Sequence, residues 1–485
     1  MSQSQTCAAT LFIDLATFSE LEGFLYGGPN AISWFVACIQ KSNWFSFIPI
    51  SLRNCSGIPD FGQRNVAASV NRSGDYVLGV WFRAQIPSIY LNTQNSTANL
   101  RWVHHLFHNI FERIQITFNE LVVQEFDNYW LDNNYMFRVR GSKRMGYRNM
   151  IGDVDTLTAP HAPGVGNALP SAILTCPLPF FFDQDSGIAL PVAALPFNDI
   201  KINYNFRRWQ ELVMIYPGNA GSAPATINDV AVVNSTSEPS LDHAQTYAHY
   251  AVVHNDERVK MGDAPRDMLI HQVQYVNYAP FKDVTTQTGF DLRLSHAIVS
   301  FFFAAENTSL LSFAKGSYGR EFSNYTTLSA IHDNPSLPVG IDPIAHSKLL
   351  YENTVRFDNS SEYFSLIVPW YFSDAMPGVD GPTDTGYHMA TYALKPWDPT
   401  RPSGSTNYSK LANVSIVHDM STAAVNAANT TAPVATDGQA ITLVPANATA
   451  PYASVAFPQT WRHIFDCRNW NIARVANGSL GHPTL

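Results

Sequence analysis

The sequence predicts an all-β chain in which one sandwich unit of two sheets occurs twice, after an N-terminal arm. Three observations support this prediction. Strand-like runs bounded by Gly, Pro, Asn and Asp recur along all 485 residues, helix signals are few and short, and two distant regions repeat the same order of elements. Many strands with few helices are typical of sandwiches and barrels rather than of alternating βαβ units.

The strand signals lie in both halves of the chain. Apolar residues alternate with polar ones, or run together, in Phe45–Leu52, Tyr76–Ala84, Ile114–Phe118, Ile200–Phe206, His249–His254, Met268–Tyr278, Ala297–Phe303, Tyr363–Tyr371 and Asn413–Val417. A period of two places alternate side chains on opposite faces of a sheet, so that one face of each strand is available for a core.

The helix signals are short. Thr17–Leu25 begins with a cap residue that Glu20 follows three positions later, and it stops at Gly27-Gly28. Lys143–Met150 and Asp256–Met261 are each predicted to form one or two turns. The first of these helices belongs to the predicted N-terminal arm.

A repeat at an offset of 234 residues (348 minus 114) supports the duplication. Asn119 of the first copy corresponds to Asn353 of the second, and Tyr129 corresponds to Tyr363. Each copy is predicted to be a strand, a turn at Asn, a second strand and the aromatic start of a third. The matched segments are Ile114–Glu120 and Lys348–Thr354.

A second correspondence, at a different offset, sets the limits of the two units. In each copy a strand precedes a loop poor in bulky residues, and an aromatic strand follows: Asp199–Phe206, Pro217–Glu238 and Tyr247–His254, then Leu411–Val417, Ser421–Ala450 and Trp461–Val475. Both loops are expected to be long and exposed. The predicted organisation is an arm at 1–30, a first unit at 31–256, a connector at 257–266 and a second unit at 267–485. Eight strands with Greek-key connections would leave few exposed edges in each unit.

Composition and charge exclude several classes of protein. The 30 Lys and Arg residues against 39 Asp and Glu residues give a net charge of -9, which argues against a general nucleic-acid binder. Charged residues make up 14% of the chain, against about 25% in an average soluble domain, so charge protects the surface weakly against self-association. No apolar run reaches the ~18 residues that a membrane span needs, and the N-terminus does not resemble a secretory signal.

The cysteines predict no cross-linked framework. Their number is odd, their spacings are wide and no CxxC occurs, so we expect reduced thiols rather than disulfides or a zinc site. They are Cys7, Cys38, Cys55, Cys176 and Cys467.

The three histidines of an HHxxH pattern are the first candidates for chemistry. His104 and His108 have the i, i+4 spacing of a zinc-protease helix, with His105 between them, but the Glu that would act as a base is missing. The segment Val103–Ile110 also lies next to a predicted strand, whereas such a pair needs one face of a helix. We therefore interpret these histidines as a polar strand edge.

Two ligand-binding motifs are incomplete. Asp183–Gly187 resembles the start of a calcium loop, but its third acidic position is glycine and Ala194 stands where the loop ends in Glu. A turn that uses the backbone freedom of Asp and Gly is the simpler interpretation. Gly164-Val165-Gly166 lacks the third glycine of a dinucleotide fingerprint, since Leu169 takes its place.

The remaining patterns are weaker. Asp153 and Asp155 form an isolated acidic pair in a turn-rich stretch. A basic run is interpreted as a solvated or subunit-contacting loop; it comprises Arg138, Arg140, Lys143, Arg144 and Arg148, with Phe137 and Tyr147 interleaved. The N-glycosylation motif Asn-x-Ser/Thr is frequent, and we attribute this to the abundance of Asn, Ser and Thr in the chain. It occurs at Asn54, Asn71, Asn95, Asn234, Asn307, Asn324, Asn359, Asn407, Asn413, Asn429, Asn447 and Asn477. The sequence therefore predicts no catalytic, cofactor-binding or metal-binding residue.

Several runs of residues resemble the major capsid proteins of large icosahedral DNA viruses. The core signature of that family is similar to Leu178–Phe182, Asp185–Pro191 and Ala194–Ile200. Other stretches narrow the resemblance to the iridovirus family: Phe12–Thr17, Tyr26–Gly28, Ser73–Tyr76, His108–Ile110, Ile116–Asn119, Lys143–Tyr147, Met150–Gly152, Ser295–Ala297, Leu350–Thr354, Gly404–Tyr408 and Leu480–Pro483. The match runs in order from about residue 11 to the C-terminus, and it departs at 217–238, at 421–450 and at His104-His105.

The resemblance implies two tandem eight-stranded jelly rolls, a double jelly roll, and a homotrimeric capsomer of pseudo-hexagonal outline. Such capsomers tile an icosahedral shell around an internal membrane and a DNA genome. The implied partners are neighbouring capsomers, minor capsid and penton proteins and inner membrane-associated proteins, without sequence-specific nucleic-acid binding. The implied location is the outer shell of the virion, after assembly in the host cytoplasm, with no cofactor and no enzymatic activity.

The resemblance also implies which segments of the chain face the outside of the shell and which face the inside. Long loops at the ends of the jelly rolls would form outer towers, with Ala304–Asn334 and Asp374–His388 as candidates in the second unit. The arm Met1–Gly28 would lie on the inner side.

Two alternatives remain open at this point. A jelly-roll lectin or receptor-binding protein is suggested by loops rich in Asn, Asp and aromatic residues. An enzyme such as a jelly-roll glycosidase needs paired carboxylates that face a cleft, and the sequence offers no such pair.

Overall fold

The chain is described by a computed structural model that covers residues 11–29, 31–37, 39, 41–93, 96–216, 225–263, 265–276, 278–281, 283–285, 287–309, 318–327, 340–377, 385–429 and 459–481. It divides into an N-terminal segment, residues 1–44, and a body, residues 45–485. Parts of the loops at 217–238 and 421–450, and the two cysteines Cys7 and Cys38, lie outside the described residues.

The N-terminal segment contains two short helical stretches. Residues 11–16 are helical, and a second helix spans Glu20–Leu25. Ser19 caps it, and the Glu22 side chain returns to the Ser19 backbone N–H at 3.1 Å. The predicted helix at Thr17–Leu25 is therefore corrected: the capping pair is Ser19 with Glu22, because Thr17 closes the preceding helical stretch.

The strands of the body, numbered in chain order, are β1 Phe45–Ser51, β2 Arg53–Ser56, β3 Val66–Ser69, β4 Tyr76–Ile86, β5 Ile89–Leu91, β6 Asn99–Trp102, β7 Phe111–Phe118, β8 Leu121–Phe126, β9 Ala172–Leu178, β10 Ile200–Phe206, β11 Val213–Tyr216, β12 Val230–Val232, β13 Asp242–Val253, β14 Arg266–Tyr275, β15 Thr288–Asp291, β16 Ala297–Asn307, β17 Ile344–Tyr351, β18 Thr354–Ser360, β19 His388–Thr391, β20 Thr406–Asn407, β21 Val414–Met420, β22 Trp461–Ala476 and β23 Ser479–Gly481.

The helices of the body are short and lie in the connections. The α-helices are Leu106–Asn109, Asn128–Arg138, Gly141–Ile151, Asp155–Thr158, Asn255–Asp263, Val368–Phe372 and Thr422–Asn429, and Tyr363–Ile367 is a π-helix. Short 3₁₀ helices are Val165–Asn167, Phe181–Asp183, Ser186–Ile188, Val192–Ala194, Trp209–Glu211, Ile227–Asp229 and Tyr408–Lys410. The predicted helices at Lys143–Met150 and Asp256–Met261 are both present.

The same pair of sheets occurs twice. The first sandwich has a sheet of order β1-β13-β4-β9 facing one of order β2-β3-β10-β7-β8, in which β2 is an additional edge strand. The second has β14-β22-β16-β19 facing β15-β21-β17-β18. If β2 is left out and the eight strands of each sandwich are numbered in chain order, one sheet of each sandwich has the order 1-8-3-6. The other sheet has the order 2-7-4-5. This is the jelly-roll order, so the predicted all-β fold of two tandem eight-stranded jelly rolls is confirmed.

The repeated hairpin is confirmed, but its offset is 233 residues rather than 234. Asn119 and Glu120 have positive φ angles of 46° and 72°, and Glu352 and Asn353 have 47° and 70°. A two-residue turn of this type requires φ > 0 at both positions, which Asn tolerates at either one. Asn therefore occupies the first turn position in one copy and the second in the other, and matching the two Asn residues misplaces the repeat by one.

The strand predicted at Tyr363–Tyr371 is wrong, because this segment is helical throughout. A short apolar run has no period that separates strand from helix. Here Phe364 and Val368 are buried four residues apart, which is a helical spacing. The first copy likewise continues with the Asn128–Arg138 helix rather than an aromatic strand, since the Asp127 side chain accepts from the backbone N–H of Trp130 at 3.0 Å.

The described part of the first of the two loops, residues 225–238, contains regular structure. Residues 227–229 form a 3₁₀ helix, and β12 pairs with β5. The expectation of an exposed loop over Pro217–Glu238 is therefore corrected for this part, in which Ala225 and Val230 are buried.

Two histidines lie inside the second sandwich, where they pack on aromatic rings. His463 is stacked on Phe290 at a centroid distance of 4.1 Å, and His418 lies 5.2 Å from the ring of Phe303. Burial lowers the pKa of His463 to about 3 and, together with the neighbouring imidazoles, places the pKa of His418 well below its usual range. Both rings are therefore neutral in the folded protein at neutral pH.

We expect acidification from pH 7 to pH 5 to destabilise the protein, and His463→Phe to reduce this loss. The unfolded chain binds a proton on His463 near pH 6.5 and the folded chain does not, so stability is lost as the pH falls from 6.5 towards 3. For one such group the loss at pH 5 is ~2 kcal/mol. Chemical unfolding at both pH values measures it, with the exposed His254→Gln as control. An unchanged pH dependence in His463→Phe would contradict the account.

Candidate functional site

The sheet β14-β22-β16-β19 of the second sandwich is buried on both faces. Phe301, Phe303 and Phe465 point into the apolar core of their own sandwich. The side chains that alternate with them, among them Phe302 and Ile464, belong instead to the larger apolar cluster of the first sandwich. This sheet therefore joins the two sandwiches into one body, and its outward face is a contact surface.

The helix Asn128–Arg138 of the first sandwich covers that outward face. All its residues from Asn128 to Phe137 are buried. The rings of Trp130 and Phe137 lie 5.7 Å and 5.3 Å from the ring of Phe302. Within the contact, the Asn133 amide donates to a side-chain oxygen of Asp466 at 2.9 Å. Helix and sheet thus meet through aromatic packing with a polar contact inside it.

A buried carboxylate ties one end of this helix to the sheet. Glu306 of β16 is fully buried, and the Tyr129 hydroxyl lies 3.0 Å from both of its oxygens. The guanidinium groups of Arg462 and Arg320 contact the same carboxylate at 3.0 Å and 3.4 Å. Burial, followed by the Glu306 charge, raises the pKa of Tyr129 above its ordinary range, so its hydroxyl keeps the proton that it donates.

A second buried ion pair joins the sandwiches through residues 318–327. Arg101 of β6 pairs with Glu321, and both are almost fully buried. The Arg101 Nε donates to the Tyr216 hydroxyl at 3.0 Å, and Glu321 accepts the backbone N–H of His104 at 2.8 Å. Burial opposes the charge on Arg101, but the neighbouring carboxylate outweighs it and raises the pKa of the guanidinium.

The prediction that Ala304–Asn334 forms an outer tower is wrong for its described part. Residues 304–307 belong to β16, and the segment 318–327 packs into the first sandwich, with Phe322 and Tyr325 buried. The Phe322 ring lies between two guanidinium groups, those of Arg207 at 4.5 Å and Arg320 at 4.3 Å. Residues 310–317 and 328–334 lie outside the described part of the chain.

The HHxxH histidines are buried, not at a strand edge, and the interpretation as a polar strand edge is therefore corrected. A short helix at Leu106–Asn109 follows His105, whose φ of 47° is left-handed. A ring nitrogen of His108 lies 2.7 Å from Asp132, one of His105 lies 3.0 Å from the same carboxylate oxygen, and one of His104 lies 2.9 Å from Asp153. The sequence could not show this, because both acidic partners come from later segments.

These contacts explain the charges of the cluster. Burial alone would raise the pKa of Asp132, but the two imidazoles lower it well below its usual range. The pKa of Asp153 is also lowered, because its hydrogen bond to His104 and the charges of His105 and Arg148 outweigh burial. Both carboxylates are thus held as anions inside the protein.

Part of the histidine cluster has the residue types of a metal site. The ligand atoms of His105, His108 and Asp132 lie within 4.8 Å of one another. The imidazole nitrogens already contact the carboxylate at hydrogen-bond distance, and His108 Nε2 lies 2.8 Å from the Tyr147 hydroxyl. Hydrogen bonding thus accounts for the geometry, and the absence of a metal site stays a prediction.

The other motifs occupy structural positions. Asp185 caps a 3₁₀ helix by accepting from the Gly187 N–H at 2.7 Å, and Gly164 precedes another. Asp155 starts the Asp155–Thr158 helix, whereas Asp153 belongs to the histidine cluster. Cys176 and Cys467 are buried free thiols, and Cys55 is an exposed one.

The basic run is not a loop. Most of it lies on the helix Gly141–Ile151, where Arg148 pairs with Asp153 at 2.7 Å. Arg144 donates to the backbone carbonyls of Met136 and Met376 at 2.8 Å and 2.7 Å. These two arginines therefore make contacts within the chain.

Among the Asn-x-Ser/Thr motifs, Asn307 and Asn324 are buried.

Apolar and aromatic side chains that are at least partly exposed form two surfaces that no sequence pattern indicated. The first, here called the helix surface, consists of Ile367, Trp370 and Tyr371, with exposed fractions of 48%, 69% and 70%. The second, here called the sheet surface, lies on the outward side of β1-β13-β4-β9 and comprises the exposed Phe47 with the half-buried Trp81, Tyr247 and His249. No helix among the described residues is both long and apolar enough to cross a bilayer.

Comparison with known families finds two matches that together span most of the chain. Residues 33–253 match the family described as "Major capsid protein N-terminus", and residues 257–481 match "Large eukaryotic DNA virus major capsid protein".

Curated relatives match over the full length. The major capsid protein of Costelytra zealandica iridescent virus is 41% identical over 498 residues, and the match covers 100% of both chains. That of Invertebrate iridescent virus 6 is 39% identical, and that of Lymphocystis disease virus 1 is 37% identical, each with 100% of both chains covered.

Solved structures share the fold at low sequence identity. A chain of the PBCV-1 virus capsid has a TM-score of 0.66 at 17% identity, with 93% of this chain and 100% of that chain covered. The Faustovirus major capsid protein has a TM-score of 0.64 at 11% identity, with 94% of each chain covered.

We expect Glu321→Gln to destabilise the protein by about 3–5 kcal/mol, because it leaves the buried Arg101 charge without a partner. The double variant Arg101→Met with Glu321→Gln removes that charge and should recover most of the loss. The midpoints of chemical unfolding of the single and double variants measure both effects. A single variant as stable as the unchanged protein would show that the pair does not hold the sandwiches together.

Proposed function

Because the chain belongs to the major capsid proteins of iridoviruses, we propose that three copies of it form the pseudo-hexagonal capsomer from which the icosahedral shell is built. The repeated strand order carries this proposal. Three chains with two similar sandwiches each present six similar flanks, so a threefold assembly acquires a nearly sixfold outline. Such a tile has similar neighbours in six directions, which suits a closed lattice.

The proposed sandwich boundaries are those read from the sequence: an arm at 1–30, a first jelly roll at 31–256, a connector at 257–266 and a second jelly roll at 267–485. The matched family regions, 33–253 and 257–481, support a division between them. The helix Asn255–Asp263 fills most of the proposed connector, and β14 begins at Arg266.

The further parts of the proposal concern the surroundings of the shell. The capsomers enclose an internal membrane and the DNA genome, contact minor capsid and penton proteins, and assemble in the host cytoplasm. The net charge of -9 supports a shell that does not bind DNA directly. The protein acts as a structural subunit without enzymatic activity and without a cofactor.

Light scattering coupled to size-exclusion chromatography tests the trimer. We expect one species with three times the chain mass of 53.8 kDa over a wide range of concentration. Electron micrographs of the same sample at higher concentration should show hexagonal arrays. A chain that stays monomeric at high concentration contradicts the proposal, and specific glycan binding by that monomer would favour the lectin alternative instead.

A further inference from the structure

The two sandwiches carry equivalent helices after equivalent hairpins. The β-bulge in the first hairpin lies between Ile116 and Thr117, and that in the second lies between Leu349 and Leu350, again at an offset of 233 residues. The turns also coincide at this offset. Each hairpin then leads within a few residues into a helical segment, Asn128–Arg138 in the first sandwich and Tyr363–Phe372 in the second.

The equivalent helices differ in what covers them. The first is buried along its length, because the outward face of the second sandwich lies against it. The second leaves Ile367, Trp370 and Tyr371 largely exposed. Large aromatic side chains are depleted on free surfaces and enriched at interfaces. The second helix is therefore equivalent to the first, but no sheet among the described residues covers it.

The sheets show the complementary difference. The outward face of β14-β22-β16-β19 is covered within the chain, whereas its counterpart β1-β13-β4-β9 bears the sheet surface. There Trp81 stacks on Tyr247 at 5.6 Å and contacts His249 at 4.5 Å, and Phe47 is 62% exposed. An aromatic layer on the solvent side of a sheet is the receiving half of a helix-on-sheet contact.

A depression on the same sheet adds a place for an aromatic ring. Its volume is about 240 Å³, and Arg83, Ile173 and Tyr247 line it. Ile173 is 56% exposed, so the depression opens to the outside. Polar side chains make up more of its lining than apolar ones, and the Arg83 guanidinium beside Ile173 and Tyr247 can hold an indole or a phenol through packing and cation–π attraction.

We propose that the helix surface of one copy docks on the sheet surface of a second copy, so that the contact within each chain is repeated between chains. The occupant of both surfaces is thus this same protein. The two surfaces are different, so the contact is heterologous: a pair of copies leaves one helix surface and one sheet surface open, and only a closed ring covers all of them. The inference rests on the proposed trimer, in which the ring closes after three copies.

The test uses one charged substitution in each surface of the full chain. Trp370→Glu and Phe47→Glu change exposed side chains, and we expect each to abolish the trimer at a concentration where the unchanged protein is fully trimeric. Val165→Glu, at another apolar residue that is 57% exposed, is the control and should remain trimeric. Circular dichroism and thermal unfolding of each variant verify that it is folded.

Mixing the two variants separates this contact from other causes of dissociation. The Trp370→Glu chain keeps an intact sheet surface, and the Phe47→Glu chain keeps an intact helix surface, so one contact can form between them. We expect the mixture to give a complex of one chain of each kind and no trimer. A mixture that remains monomeric, with both variants folded, overturns the proposed pairing of surfaces.

The outcomes distinguish this inference from the proposed function. If the unchanged protein is trimeric and both variants are also trimeric, the docking surfaces are wrong while the trimer stands. If the unchanged protein is monomeric, the proposed capsomer fails and the docking contact fails with it. If both variants dissociate while Val165→Glu does not, and the mixture forms the two-chain complex, both are supported.

Discussion

Burial of one sheet on both of its faces is the constraint on which the rest of the molecule depends. A sheet in an ordinary sandwich needs one apolar face, but β14-β22-β16-β19 needs two, because its outward side lies in the core of the neighbouring sandwich. Its third strand, β16, is accordingly buried at every residue after Ala297, and only Ser300, Glu306 and Asn307 interrupt its apolar residues. The two jelly rolls are therefore one compact body, and neither could expose this sheet without exposing phenylalanine.

The polar groups buried at this contact fix how the sandwiches meet. Aromatic packing is tolerant of small shifts, whereas Glu306 with the Tyr129 hydroxyl, and Glu321 with Arg101, are satisfied at a single relative position of the two sandwiches. A misaligned contact would leave a charge buried without a partner, at a cost of several kcal/mol. We infer that these two contacts select one orientation of the sandwiches more than they add stability. The histidine cluster around Asp132 and Asp153 orders the same region from within.

The sequence predicted the fold class and the duplication because these depend on local signals. Strand periodicity and turn residues identified most of the strands, and the repeated hairpin was visible through its Asn residues. The helix at Tyr363 was missed because a short apolar run fits a strand and a buried helix alike. The offset was wrong by one because the turn accepts Asn at either position. The burial of His104, His105 and His108 depends on acidic partners 24 to 49 residues away along the chain, which no local pattern contains.

In the proposed ring, a contact made within the chain is repeated between chains. An experimental structure of the assembled capsomer, determined by electron cryomicroscopy, examines it most directly. We expect six helix-on-sheet contacts around the ring, three inside chains and three between them, with Trp370 of one copy near Trp81 of the next. A ring whose copies meet through other surfaces, with Trp370 still facing solvent, would contradict it.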